Sequence, residues 1–214
     1  MTGGLYLVYI VTTVLATVFG QIGLGTSDQV YQQLITNETS YRVGLVFVLL
    51  SGLLFLLTAW GLYVLLRPVH PDLALLFLLV NAVGVAIQGA SMLGLIGALI
   101  APQAQEQAIQ SIETYKLGFV TAQLFFGAWL FPLGYLVYTS TFMPRILGAL
   151  LLLDGIAVFI WFLQALLLPD YPQIRYPGLA VSFIAEVGLA LWLLLKGIAS
   201  VGHSTETELR ALRH

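Results

Sequence analysis

The chain has 214 residues, of which 59% are hydrophobic and only 8% are charged, whereas an ordinary soluble domain has about 25% charged residues. This composition excludes a soluble globular domain and indicates a membrane protein. The formal net charge of −2 gives no support for nucleic acid as a partner, and the sequence has no cysteine, which excludes disulfides and thiolate metal sites.

Six apolar segments are each long enough to cross a hydrocarbon core about 30 Å thick. They are rich in leucine and show no alternation, which predicts helices and not barrel strands. The predicted spans are residues 4–23, 42–66, 73–100, 115–139, 145–168 and 176–198. The predicted fold is therefore all-α, a bundle of six transmembrane helices that forms one domain over residues 1–199, followed by a short tail over 200–214. The first span has no basic residue before it and is interpreted as a retained helix, not a signal peptide.

The connections between the spans predict an orientation. Three longer connections fall on one side of the membrane, and two very short turns and the tail fall on the other. The side with the short turns carries more basic residues, namely Arg67, Arg145, Lys196, Arg210 and Arg213, against Arg42, Lys116 and Arg175. The positive-inside rule then predicts that both termini are cytoplasmic and that the protein is a multi-pass protein of the cytoplasmic membrane. The tail is expected to be a frayed end and not a helix at the lipid headgroups.

Two span openings resemble each other, ETSYRVGLV in the second span and ETYKLGFV in the fourth. At a nearly constant offset, Asn81 in the third span then matches Asp154 in the fifth. Either a duplicated helical hairpin or the ordinary use of aromatic and basic anchors at helix starts explains this pattern, and both explanations stay open. The long-connection side is also expected to carry three charge pairs, Glu38 with Arg42, Glu113 with Lys116, and Asp170 with Arg175.

Two acidic side chains lie at membrane depth. Asp154 is nine residues past Arg145 and Glu186 is twelve residues before Ile198, which places them about 13 Å and about 18 Å from the same surface. An ionised carboxylate facing lipid costs at least about 2.5–3.5 kcal/mol, so both acids are expected to face the bundle interior and to bind a ligand or a proton.

Four neutral polar residues are candidate partners for these acids, because they lie on helix faces that also carry small residues. They are Asn81, Gln88, Gln123 and Ser182. The alternative for these neutral residues is that they form hydrogen bonds between helices that only stabilise the bundle. For the two acids, a functional role and a structural role remain open alternatives.

No catalytic or metal-binding motif accompanies the acids. The three histidines, His70, His203 and His214, lie in a turn and in the tail, outside every predicted span, which argues against a zinc hydrolase. The sequence has no G-x-S-x-G motif and no phosphate-binding glycine loop. We therefore expect no cofactor, no metal site and no catalytic residues.

Three segments, GLYVLLRPVHPDLALL, FPLGYLVYTSTFMPRILG and AEVGLALWLLLKG, resemble the multi-pass membrane family known as domain of unknown function 4386. The resemblance covers nearly the whole chain and implies a bacterial inner-membrane protein with six helices, without any biochemical activity. Glu186 falls on the acidic position of the family before its LWLL segment. Asp154 stands where sequences of this type have a small or apolar residue, which weakens its claim to a family-wide role.

Three functions remain open at this stage. The first is a non-catalytic accessory, scaffold or small-ligand-binding bundle. The second is a small proton-coupled secondary transporter that uses Glu186 and Asp154, and the third is an intramembrane lipid-modifying enzyme. The expected partners are the lipid bilayer, other membrane subunits or a second copy of the chain, and a small hydrophobic or lipid ligand.

Overall fold

The structure is a computed structural model that describes residues 2–23 and 25–211, with side chains described as far as residue 196. Within these residues it is all helical. The helices are α1 (Thr2–Gly20), α2 (Ser27–Thr36), α3 (Glu38–Leu66), α4 (Pro71–Ser91), α5 (Leu93–Ile100), α6 (Gln105–Thr139), α7 (Arg145–Leu167) and α8 (Tyr176–Ala211), with a 3-10 turn at Pro172–Arg175 before α8.

Six helical segments are long and apolar enough to cross a membrane. They are α1, α3, the pair α4 and α5, α6, α7, and the segment Pro172–Lys196. Large apolar side chains cover the outside of these segments; Leu195 is 67% exposed and Val18 is 63% exposed. Such surfaces require lipid around them, so the prediction of a multi-pass bundle with six spans is confirmed.

The connections sort to the two ends of the bundle, because consecutive spans run in opposite directions. The short-turn end contains residues 67–70 and 140–144, and the long-loop end contains α2 and residues 101–104 and 168–175. The predicted tail begins inside α8, whose backbone is helical as far as Ala211. The expected frayed end concerned the whole tail, residues 200–214, and over residues 200–211 the backbone is helical instead. The side chain of Arg210 and the whole of Arg213 lie outside the part of the chain that the structure describes.

The long-loop end has more helix than the apolar pattern predicts. Thr26 and Gln29 form a capping box, in which each side chain accepts a hydrogen bond from the backbone N–H of the other residue (3.2 Å and 2.8 Å). This reciprocal cap satisfies N–H groups at the start of α2. Val30 and Leu34 are buried on the inner face of α2, so this polar segment forms an amphipathic helix on top of the bundle.

Close backbone packing joins the spans in pairs. A Cβ atom added to Gly44 of α3 would lie 2.6 Å from the nitrogen of Gly20 of α1, and a Cβ atom added to Gly148 of α7 would lie 2.5 Å from the nitrogen of Tyr138 of α6. Small residues let helix backbones approach in this way. In lipid there is no hydrophobic force between helices, so the van der Waals contact at these close approaches stabilises the pairs.

An aromatic cluster fills the centre of the bundle. Trp129 of α6 is 1% exposed, and its ring packs edge-on against Phe55 of α3 (5.2 Å between centroids) and Phe77 of α4 (6.1 Å). Edge-to-face pairs of this kind are favourable arrangements of aromatic rings. They hold α3, α4 and α6 around the space described next.

Candidate functional site

A cavity of about 170 Å³ lies inside the bundle, among α1, α3, α4, α6, α7 and α8. Most of its wall is apolar and aromatic, as in known small-molecule sites. The polar side chains in its lining are Tyr9, Thr13, Ser51, Gln88, Tyr115, Gln123, Ser182 and Glu186. Among the described residues of this lining, Glu186 is the one with an ionisable carboxyl.

Glu186 lies on α8 with its side chain partly buried and in contact with the cavity. Tyr6 and Tyr9 of α1 lie close enough to interact electrostatically with Glu186. The Tyr9 ring is stacked on Phe55 at 4.6 Å between centroids, which fixes the wall of the cavity beside the acid. Glu186 therefore lies at the interior space between the helices.

Asp154 lies on α7, is 0% exposed and is absent from the cavity lining. Its Oδ1 atom accepts a hydrogen bond from the Ser182 hydroxyl of α8, and its Oδ2 atom has no hydrogen-bond partner among the described residues. Ser182 also lines the cavity. Ser182 and Glu186 are four residues apart and share one face of α8, and both belong to the cavity wall. Because Asp154 contacts Ser182 and does not line the cavity itself, it lies behind this wall.

The neutral candidates divide into two groups. Gln88 of α4 and Gln123 of α6 line the cavity together with Ser182. Asn81 is 0% exposed, but it is outside the cavity lining, and neither polar atom of its amide has a partner among the described residues. The structure thus brings Glu186, Gln88, Gln123 and Ser182 to one cavity, keeps Asp154 one contact away, and places Asn81 elsewhere in the core.

Aromatic residues contribute more of the site than the sequence predicted. Tyr9, Tyr115, Phe119 and Trp161 line the cavity, although none of them was among the candidate residues predicted from the sequence. The one signal available was the spacing of Tyr9 and Thr13, which lie four residues apart and therefore on one face of α1.

A second space of about 250 Å³, the vestibule, lies at the long-loop end. It shares Gly23, Tyr115, Phe119 and Trp161 with the cavity, so the two spaces are neighbours with a common wall. Lys116 of α6 and Arg175 of the 3-10 turn line the vestibule. The vestibule therefore lies between the long-loop end and the cavity that Glu186 lines, and α6 and α7 contribute to the walls of both spaces.

The predicted charge pairs at this end have different outcomes in the structure. Arg42 forms an ion pair with Glu38, with 2.7 Å between Nη2 and Oε1. Among the side chains described, neither Glu113 with Lys116 nor Asp170 with Arg175 comes within 4 Å. Instead, Glu113 accepts a hydrogen bond from the Ser27 hydroxyl of α2.

Lys116 and Arg175, the basic members of those two pairs, line the vestibule instead. Over the described part of the chain, no group of three or more histidine or acidic side chains could hold a metal ion.

Comparison with known proteins adds a family but no activity. The family model described as "Domain of unknown function (DUF4386)" matches residues 1–197. An uncharacterized protein of Archaeoglobus fulgidus is 32% identical over 166 residues, which cover 75% of this chain and 86% of that relative. No solved structure matches this chain significantly.

Proposed function

Because the chain belongs to the family described as domain of unknown function 4386, whose name assigns no activity, we propose a function from the cavity itself. The protein is a non-catalytic helical bundle that binds a small ligand inside the membrane, and Glu186 accepts a hydrogen bond from that ligand. The observation that carries this proposal is the position of Glu186, a carboxyl in the wall of a largely apolar cavity to which six spans contribute.

The surroundings of Glu186 define the chemistry of the ligand. A carboxyl at membrane depth is costly unless it meets a proton, a cation or a hydrogen-bond donor. A ligand with an amine or hydroxyl group meets this requirement, and the apolar wall favours a hydrocarbon body. Gln88, Gln123 and Ser182 supply further hydrogen-bonding groups in the same lining.

The arrangement of the acids argues against a catalytic dyad. General acid and base catalysis by two carboxyls requires both to reach the same reacting group or the same water. The two carboxyls lie within electrostatic range of each other. However, Oδ1 of Asp154 accepts the Ser182 hydrogen bond, and only Glu186 of the two lines the cavity, so a molecule in the cavity meets one carboxyl. For this reason binding is favoured over lipid modification.

The test is to purify the protein in mild detergent and to identify bound small molecules by native mass spectrometry and solvent extraction. We expect wild type to retain a non-protein molecule that Glu186→Gln loses. The matched control is Glu38→Gln, which makes the same change in an exposed glutamate at the long-loop end. A bare wild-type protein, or equal retention by Glu186→Gln, would contradict the proposal.

A second pair of variants tests the cavity independently of charge. Leu179 lines the cavity on α8, so Leu179→Trp should fill part of it and displace the ligand. Leu195 is on the same helix but 67% exposed on the outside, so Leu195→Trp should retain the ligand. Equal retention by both tryptophan variants would place the molecule outside the cavity.

Proton-coupled transport is the second candidate, because the vestibule and the cavity together lead from the long-loop end to Glu186. Transporters place substrate and proton sites near the midplane, between groups of spans. Proteoliposomes that enclose a pH-sensitive dye would show proton movement when the copurified molecule is added on one side. Flux that survives Glu186→Gln in a folded protein would rule out this mechanism.

The remaining expectations on location and partners are also proposals. We place the protein in the cytoplasmic membrane with its short-turn end toward the cytoplasm, because that end carries most of the basic residues. The bilayer is its permanent partner. The purification above also tests a scaffold role, since stoichiometric copurification of other subunits, without a small molecule, would favour it over ligand binding.

A further inference from the structure

The vestibule carries two positive charges without an acidic side chain in its described lining. Lys116 and Arg175 are close enough for their charges to repel each other, although Glu113 acts on Lys116 more strongly than Arg175 does. Asp28 and Glu113 lie within electrostatic range of Lys116, but neither comes within 4 Å of it and neither lines the vestibule. Two like charges that face one space are stabilised when an anion enters it.

Arg175 has hydrogen-bonding capacity that the described residues do not use. Its guanidinium carbon lies 6.0 Å from the ring centre of Trp161 and 5.9 Å from that of Tyr176, so the aromatic faces hold the side chain beside the vestibule. Its Nε atom is buried and has no hydrogen-bond partner within residues 2–23 and 25–196. A buried N–H of a charged group without a partner is costly, and a carboxylate or phosphate is the acceptor that fits its geometry.

The space beyond the basic pair suits a hydrocarbon chain. Trp161, Phe119 and Tyr115 line both the vestibule and the cavity, and Leu130 and Val158 continue the apolar wall inside. Glu186 lies ten residues along α8 from its first residue, Tyr176, which corresponds to about 15 Å along the helix axis. The cavity of about 170 Å³ is by itself smaller than typical small-molecule sites, which begin at about 300 Å³. A ligand of ordinary size would therefore also occupy the neighbouring vestibule of about 250 Å³.

We propose that the vestibule binds the anionic head of a single-chain amphiphile, a carboxylate or phosphate monoester held by Lys116 and Arg175, with its hydrocarbon chain in the aromatic part of the cavity. This inference rests on the proposed function, because the chain shares the cavity with Glu186. It adds a second polar contact to the ligand, at the end opposite the group that Glu186 binds. The natural ligand then has an anionic head and a distal hydroxyl or amine.

The test measures binding of radiolabelled dodecanoate to the purified full-length protein in a nonionic detergent. Dodecanoate is the probe because its extended chain is comparable with the distance from the vestibule to Glu186. We expect Lys116→Met and Arg175→Gln each to weaken binding about tenfold, as loss of one charged hydrogen bond does. Arg42→Gln, which removes an exposed arginine at the same end, should bind as wild type does.

Competition by unlabelled compounds separates the head from the chain. Dodecyl phosphate and dodecanoate should both displace the label, and their relative strength shows which head the site prefers. Dodecanol, which has the same chain without a charge, should compete at least about tenfold more weakly. Equal competition by dodecanol, or equal binding by Lys116→Met, Arg175→Gln and Arg42→Gln, would overturn the basic head site.

Two further results keep this inference separate from the proposed function. Inorganic phosphate that competes as well as dodecyl phosphate would show a site for a free anion and would overturn the amphiphile. If Leu179→Trp binds dodecanoate as tightly as wild type does, the hydrocarbon chain does not lie in the cavity, and the inference is overturned. The proposed function and the inference can also fail separately. If Glu186→Gln loses the copurified molecule but Lys116→Met and Arg175→Gln bind dodecanoate as wild type does, the proposed function is supported and the inference is refuted.

Discussion

The Ser182 hydroxyl of α8 donates a hydrogen bond to the carboxyl of Asp154 on α7, and the Asp154 residue is 0% exposed. Ser182 thereby joins the lining of the cavity to the acid behind it. Of the two acids at membrane depth, Asp154 is thus part of the contact between two helices, and Glu186 is the group that a ligand can reach. This division predicts that the two acids respond differently to substitution.

Ser182→Ala should destabilise the protein, because it leaves both carboxyl oxygens of Asp154 without a partner. The expected loss is about 1–2 kcal/mol, above the average of about 0.6 kcal/mol for interhelical bonds in membranes, because Asp154 is fully enclosed. Unfolding by a denaturing detergent measures it. Ser140→Ala is the control, since the Ser140 hydroxyl bonds within its own chain segment, to Val137.

A double variant separates this hydrogen bond from packing. Asp154→Leu combined with Ser182→Ala removes both polar groups, so it should recover part of the stability that Ser182→Ala loses. If Ser182→Ala is no less stable than Ser140→Ala, or if the double variant is simply the sum of two losses, the hydrogen bond does not connect α7 to α8 as the structure has it.

Asn81→Leu should leave stability unchanged or raise it by about 1 kcal/mol, because it removes a buried amide whose two polar atoms have no partner. Ligand retention should also be unchanged, since Asn81 does not line the cavity. Gln88→Leu is the matched comparison, because Gln88 lies on the same helix and does line the cavity. Loss of the copurified molecule in Asn81→Leu but not in Gln88→Leu would contradict this assignment.

Gly44→Ala should destabilise the contact between α1 and α3, because the new Cβ atom would lie 2.6 Å from the backbone nitrogen of Gly20. A rigid backbone cannot yield as a side chain does, so we expect a loss of about 1–3 kcal/mol. Gly52→Ala on the same helix meets nothing within 4 Å and should be neutral or slightly stabilising. Thermal unfolding in detergent compares the two, and equal midpoints would contradict the close approach.

The six spans could be predicted from the sequence because hydrocarbon thickness and backbone hydrogen bonding leave few alternatives to long apolar helices. The predicted ends of the spans differ by ten or more residues at two helices: α6 begins at Gln105 and not near residue 115, and α8 continues to Ala211 and not only to residue 198. The polar segment before residue 115 also forms helix, but an apolar run does not reveal it. For the same reason α2, which begins after the capping box at Thr26, was not predicted: its sequence is a polar connection between two apolar spans.

The site was less predictable, because helical spacing gives the face of a residue but not the neighbour it meets. Gln88 and Gln123 line the cavity, as expected from their positions on helix faces that also carry small residues. Asn81 is on the same helix as Gln88 but does not line the cavity. Charge pairing near the long-loop end depended equally on rotation of the helices. Glu113 bonds to Ser27 of α2, a helix that the sequence analysis did not predict.

Orientation is the last prediction, and the absence of cysteine makes it directly testable. His70 is exposed at the short-turn end and Gln103 is exposed at the long-loop end, so single cysteines at these positions leave the buried contacts intact. The excess of basic residues at the short-turn end predicts that His70→Cys is cytoplasmic. A membrane-impermeant maleimide added to intact cells should therefore label Gln103→Cys at once and His70→Cys only after permeabilisation. The reverse labelling pattern would show that the predicted orientation is wrong and that the vestibule, with Lys116 and Arg175, is on the cytoplasmic side.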